Sequence, residues 1–199
     1  MRNSTSQKRK KKVNPHRIPL AKSEIDKDAI LAEAMKDDMY HAWLLVVNAI
    51  LEQEQIPKSD IPALADTVNK YISSVSFRHK SKGDEMKRAE QLIGIRGMSG
   101  NLNPDTIKSP IELARFKEKV SKVATHTALC VVCLGLEATG RFQAEDLRRL
   151  FFNVELTLAE IDSGLNSFND IEKHLSDCLV RIEVAEGEYS TAVIEIYGI

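Results

Sequence analysis

With 199 residues and a mass of 22.3 kDa, the chain suits a single domain, and its 43% apolar content is enough to build one core. No apolar run approaches the roughly 18 to 20 residues that span a bilayer; the longest, Ala128 to Leu136, has His126 and Glu137 at its margins and reads as a buried helix. Cys130, Cys133 and Cys178 make an odd count, which argues against a disulfide framework and for reduced thiols in a cytosolic protein.

The near-neutral formal charge of −1 conceals a split. Between Met1 and Lys22 lie Arg2, Lys8, Arg9, Lys10, Lys11, Lys12, Arg17 and Lys22, with no Asp or Glu among them. The rest of the chain holds 20 basic against 29 acidic residues, or −9. Residues 1–22 are too polar to repay the entropy of ordering, so a disordered basic arm is expected ahead of a helical domain over 23–199. The lysine run leads into polar sequence and not into the apolar core of a secretory signal.

The first helix is expected from Ser23, with a break conceivable at Asp37-Asp38, to a stop before Pro57. Ile25, Ala29, Ala32, Met35, Met39, Ala42, Val46 and Ala49 keep three-and-four spacing, and Trp43, Leu44, Val47 and Ile50 widen the apolar face. A second helix starts at Asp60 or Ile61, with Pro62 in its first turn. Ser76 to Gly83 reads as a basic loop, Asp84 to Ile95 as a short helix, and 97–108 as a glycine-rich candidate hinge. Ser109-Pro110-Ile111-Glu112 is a capping box that opens a helix running to Thr139, with Gly140 as its left-handed stop. A further helix is expected over Ala144 to Ser163, stopped at Gly164.

The last segment reads two ways. Ile171, Leu175, Cys178, Ile182, Ala185, Tyr189, Ala192 and Ile196 keep helical spacing and favour one long helix, which also offers a surface for a symmetric dimer. Val180, Ile182 and Val184, then Val193 to Tyr197, also read as β-branched strands around a turn, the less favoured ending, since a lone hairpin needs a partner surface. The fold class expected is all-α: an irregular bundle of five or six helices, with a C-terminal β-hairpin as the alternative ending.

The candidate binding residues are all cationic. Lys8, Arg9, Lys10, Lys11, Lys12 and Arg17 form the arm, Arg78, Lys80 and Lys82 the basic loop, and Arg115, Lys119 and Lys122 a stripe at helical spacing. Such residues bind phosphates by counterion release without reading bases. Residues 137–199 carry thirteen acids against five bases and suit a basic protein partner instead. The pair Cys130 and Cys133 has redox or zinc spacing but neither the preceding strand nor further ligands, so it reads as buried thiols. His41 beside Asp37 and Asp38 reads as an ordinary charged helix and not a metal site. Trp43, Phe116, Phe151 and Phe152 read as core. No phosphate loop, dinucleotide fingerprint or nucleophile elbow occurs.

The stretch Asn14-Pro15-His16-Arg17-Ile18-Pro19, followed by Glu24-Ile25-Asp26-Lys27 and Ala29, resembles the start of small proteins of phages and prophages of Gram-positive bacteria. In those a lysine-rich leader precedes an Asn-Pro-x-Arg-x-Pro element and then a helix. Most of them have no assigned function, so the resemblance implies a setting, a bacterial cytoplasm, and no mechanism. The expectation is a non-enzymatic binding protein without catalytic residues, metal or cofactor, away from membranes. Its arm would contact nucleic acid or an acidic partner, and its body would contact a protein or a second copy. The alternatives are an inhibitor of a host defence protein acting through the acidic C-terminal face, and a helical metal-dependent enzyme.

Overall fold

The computed structural model describes residues 27–54, 56–77, 82–94, 109–185 and 191–197. Its elements are α1 (Lys27–Gln53), α2 (Ile61–Phe77), α3 (Lys82–Ile93), α4 (Pro110–Ala138), α5 (Ala144–Ser163), α6 (Phe168–Asp177), β1 (Val180–Ala185) and β2 (Thr191–Ile196). A single 3-10 turn, Lys58–Asp60, leads into α2. The fold is therefore an all-helical bundle with one small hairpin. The basic arm, the glycine-rich segment 97–108 and the start of the first helix at Ser23 lie outside the described residues.

The bundle is organised around α1. Every residue from Ala42 to Ile50 is buried, so this stretch presents apolar surface in all directions. It packs against α4, α5, α6 and both strands. The 29-residue α4 is its main partner and buries Phe116, Val120, Ala124 and the run from Ala128 to Cys130 and Val132 to Leu136. One window of α4 has a mean hydropathy of 1.3 and passes the length and composition test for a membrane span, although it holds no unbroken apolar run of that length; 56% of it is buried within the fold.

Local chemistry sets the helix ends. Ser109 accepts the backbone N–H of Glu112, and Pro110 occupies the first helical position. Asp146 Oδ2 accepts the Gln143 backbone N–H at 3.1 Å at the start of α5, and Gly164 closes it at φ +74°. Gly140 takes φ +69° just past α4. The short helix expected over Asp84 to Ile95 lies slightly earlier, ending at Ile93 with Gly94 at φ +74°.

The long C-terminal helix is not formed. α6 ends at Asp177, and Leu179 takes φ +60°, which no helix interior tolerates. The chain then pairs β1 with β2 antiparallel, with Ile182 opposite Ile194 and Val184 opposite Ala192. Val180, Ile182, Ala192 and Ile194 are buried, while Arg181, Glu183, Val193 and Glu195 face solvent, a period of two. The four-and-three spacing shares only Ile182 and Ala192 with the buried strand face, and an apolar pattern this short fits both templates. The correction also removes the helical surface expected for self-pairing.

The hairpin has the partner surface it needs. The side-chain amide of Asn69 on α2 donates to the Ala192 carbonyl and accepts from the Ala192 N–H at 3.2 Å, standing in for a neighbouring strand. On its other side α2 meets α4 at Gly135. A Cβ there would lie 2.5 Å from Val68 Cγ1 and 3.1 Å from Val68 Cβ.

That approach generates a prediction. Alanine has the better helix propensity by about 1 kcal/mol, but overpacking costs about 1–3 kcal/mol and Val68 is stiff at χ1. Gly135→Ala is expected to lower stability in urea denaturation despite the propensity gain. Adding Val68→Ala should cost less than the two single changes summed.

Candidate functional site

Arg115, Lys119 and Lys122 stand exposed on successive turns of α4, as their spacing requires. Lys122 Nζ lies 3.3 Å from Glu118 Oε1 on the same helix. Glu112 and Glu118 also lie on this exposed half of α4, so the stripe is mixed in sign. Lys82 opens α3. Lys8, Arg9, Lys10, Lys11, Lys12, Arg17, Arg78 and Lys80 lie outside the described residues, so only the α4 portion of the cationic set has a described surface.

A feature the sequence did not single out lies on the same helix. A groove of about 620 Å³ runs between α4 and α5 and is closed by Phe168 at the start of α6. Leu129, Leu158, Ile161 and Phe168 give it apolar surface, and Ser121 and Thr125 give it hydroxyls. Behind those hydroxyls sits Asp38 of α1, only 1% exposed. Its Oδ1 accepts from Thr125 Oγ1 at 2.7 Å and from Ser121 Oγ at 3.3 Å, while its Oδ2 is buried with no partner. Removing a carboxylate from water costs several kcal/mol, and two neutral hydroxyls offset only part of that.

The flanks of α1 are pinned to α6. Tyr40 Oη donates to Glu172 Oε1 at 2.8 Å, and burial, reinforced by Glu172, pushes the phenol up to about 12. The His41 ring stacks on Phe168 with centroids 3.9 Å apart and planes at 18°. Its role is therefore a packing contact against α6. Among the described residues no group of three His, Cys, Asp or Glu side chains is arranged to hold a metal ion.

Glu90, His126 and Cys130 form a line that superficially suggests a thiol nucleophile with its base. His126 Nε2 is 3.1 Å from Glu90 Oε1 and 3.7 Å from Cys130 Sγ. Both contacts fall on one ring nitrogen, whereas a relay orients the base through the other. Cys130 is fully buried, and burial, with Glu90 adding to it, pushes its thiol up to about 12. Cys133 is raised likewise to about 12, mainly by burial. Nucleophilic cysteines need the opposite shift.

Phe152, expected in the core, is 57% exposed. Phe151 beside it is fully buried, and adjacent residues of a helix point about 100° apart, so on α5, which is covered on one side, Phe152 falls on the outer face. Leu156, one turn on, is 50% exposed, which leaves an apolar pair on the outer face of α5.

No family model matches the chain, and no curated protein or solved structure matches it either.

The thiols give a direct check. Between pH 9, where exposed thiols ionise, and about 12, unfolded chains lose protons that Cys130 and Cys133 retain when folded. Their burial therefore stabilises the fold fully below pH 9, and that contribution falls as pH rises towards 12. With an aromatic disulfide reagent at pH 8, the native chain is expected to release about one equivalent rapidly, from half-buried Cys178. In guanidinium all three should react at once; rapid reaction of all three in the native state would contradict the burial described.

Proposed function

We propose that this protein is a non-enzymatic binding protein in which a cationic arm contacts nucleic acid and an acidic helical body contacts protein. The observation that carries the reading is the charge split: eight basic and no acidic residues before residue 23, and −9 after it. A segment of that composition binds phosphate backbones by releasing counterions and carries no sequence preference. The likeness of residues 14–29 to phage and prophage proteins supports a bacterial cytoplasmic setting. The exposed α4 stripe of Arg115, Lys119 and Lys122 supplies a second cationic surface, weakened by the acids interleaved with it.

A second reading is favoured by α5. Phe152 and Leu156 are exposed within the acidic C-terminal third, a combination suited to a partner with a basic, partly apolar face. Under it the protein acts as an antagonist of a host protein and the arm is secondary. Phe152→Ser tests this reading: capture of a host protein should be lost while nucleic-acid binding by the arm is unchanged.

Gel shifts at low salt test the first reading. The full chain is expected to bind duplexes of unrelated sequence equally, with log K falling against log salt at a slope of up to about −7. Deleting residues 1–22 should weaken binding at least about 100-fold. Undiminished binding by the truncated chain would contradict the role given to the arm.

A further inference from the structure

We propose that the groove between α4 and α5 binds a small organic cation, a primary ammonium or guanidinium group carried on an apolar stem. This site is independent of the arm and goes beyond the nucleic-acid reading.

The protons at the groove wall decide what it can bind. A hydroxyl has one proton to donate and two lone pairs to accept with. Thr125 Oγ1 lies 2.7 Å from Asp38 Oδ1 and 3.1 Å from the Ser121 carbonyl, and the shorter, charged acceptor takes its proton. Ser121 Oγ donates to the same carboxylate oxygen at 3.3 Å. Ser121 and Thr125 both line the groove, and both direct their hydroxyl protons at Asp38 behind it. What they offer a ligand is lone pairs, with a buried negative charge immediately behind. A wall of this kind accepts N–H donors, favours positive charge and gives an anion nothing to bind.

The remaining surface agrees. Glu118, Glu155 and Asp162 line the groove against one lysine, Lys122, which is already paired with Glu118. His126, the other basic side chain at the groove, is turned towards Glu90. Among the described residues the net charge around the opening is therefore negative. The apolar side chains supply a surface for a hydrocarbon stem, and about 620 Å³ lies within the roughly 300–1,000 Å³ typical of small-molecule sites. Phe168 is held in place by its stack on His41, so that end of the groove is preformed. The unpartnered Oδ2 of Asp38 completes the case. Asp38 does not itself line the groove, so a cation held at Ser121 and Thr125 would act on it through their hydroxyls, which contact its other oxygen.

The test uses the full-length chain with n-octylammonium, below its micelle concentration, against 1-octanol and octanoate as neutral and anionic probes of equal chain length. Calorimetric titration and thermal denaturation are the readouts. The expected result is saturable 1:1 binding of octylammonium, a raised Tm, and at least tenfold weaker binding of the other two. Asp38→Asn keeps the shape and removes the charge; it should cost octylammonium at least tenfold in affinity. Leu158→Trp, which fills the groove and leaves Asp38 intact, should abolish binding. Circular dichroism establishes that each variant is folded, and Thr125→Val replaces Asp38→Asn if the latter is not. Equal binding of all three probes, no binding of octylammonium at millimolar concentration, or full affinity in a folded Asp38→Asn or Thr125→Val chain would each overturn the proposal.

Discussion

The whole fold depends on the all-round burial of the segment from Ala42 to Ile50. Most helices bury one stripe and leave the rest to water; this stretch leaves nothing. Its composition makes that affordable: among its nine residues only Asn48 has a strongly polar side chain, and that amide donates to Glu52 Oε1 at 2.9 Å. Trp43 carries the one unresolved cost, an indole N–H buried without a partner. An orphaned donor costs about 1–3 kcal/mol. A buried indole removes about 150–250 Å² from water, a gain of about 4–6 kcal/mol at 25 cal/mol per Å². Burial wins, so the indole stays inside.

Because α1 is enclosed, residues at its exit from the core are placed rigidly. Asp38 is held against α4, Tyr40 and His41 against α6. The groove proposed to take a cation thus has one polar wall anchored in the core helix and one end closed by a ring stacked on that helix. The same constraint separates two electrostatic surfaces on α4. Arg115 and Lys119 look outward, Lys122 stands at the groove paired with Glu118, and Ser121 and Thr125 meet Asp38. The proposed phosphate-binding arm and the proposed ammonium-binding groove can coexist in one chain, because the arm's basic residues all precede residue 23 and the groove is built from later ones.

Much of the helical framework was legible from the sequence, for local reasons. Ser109-Pro110 with Glu112, Gly140 and Gly164 fix their helix ends through short-range chemistry that needs no tertiary partner. The hairpin was the harder case. Its support comes from Asn69, more than a hundred residues earlier in the chain, and from burial of Val180, Ile182, Ala192 and Ile194 against the helices, neither of which is legible locally. Phe152 was misread because an aromatic pair on a helix does not reveal which ring faces in. The groove was invisible for the same reason. Asp38 looked like part of a charged break with Asp37, and its burial follows only when Ser121 and Thr125 arrive from a helix eighty residues away. The one available signal was that Ser121 and Thr125 are spaced four apart in a helix that also carries a long apolar run.

Native-state hydrogen exchange is the most direct test of the central claim that α1 is the enclosed hub. The backbone amides from Trp43 to Ile50 are expected to be the slowest in the protein, exchanging only through global unfolding and matching the free energy measured by denaturant. Amides of α5 and α6 should exchange sooner, through partial openings that leave α1 packed. If the α1 amides instead exchanged faster than those of α5, the hub description would be wrong, and with it the rigid placement of Asp38 at the groove.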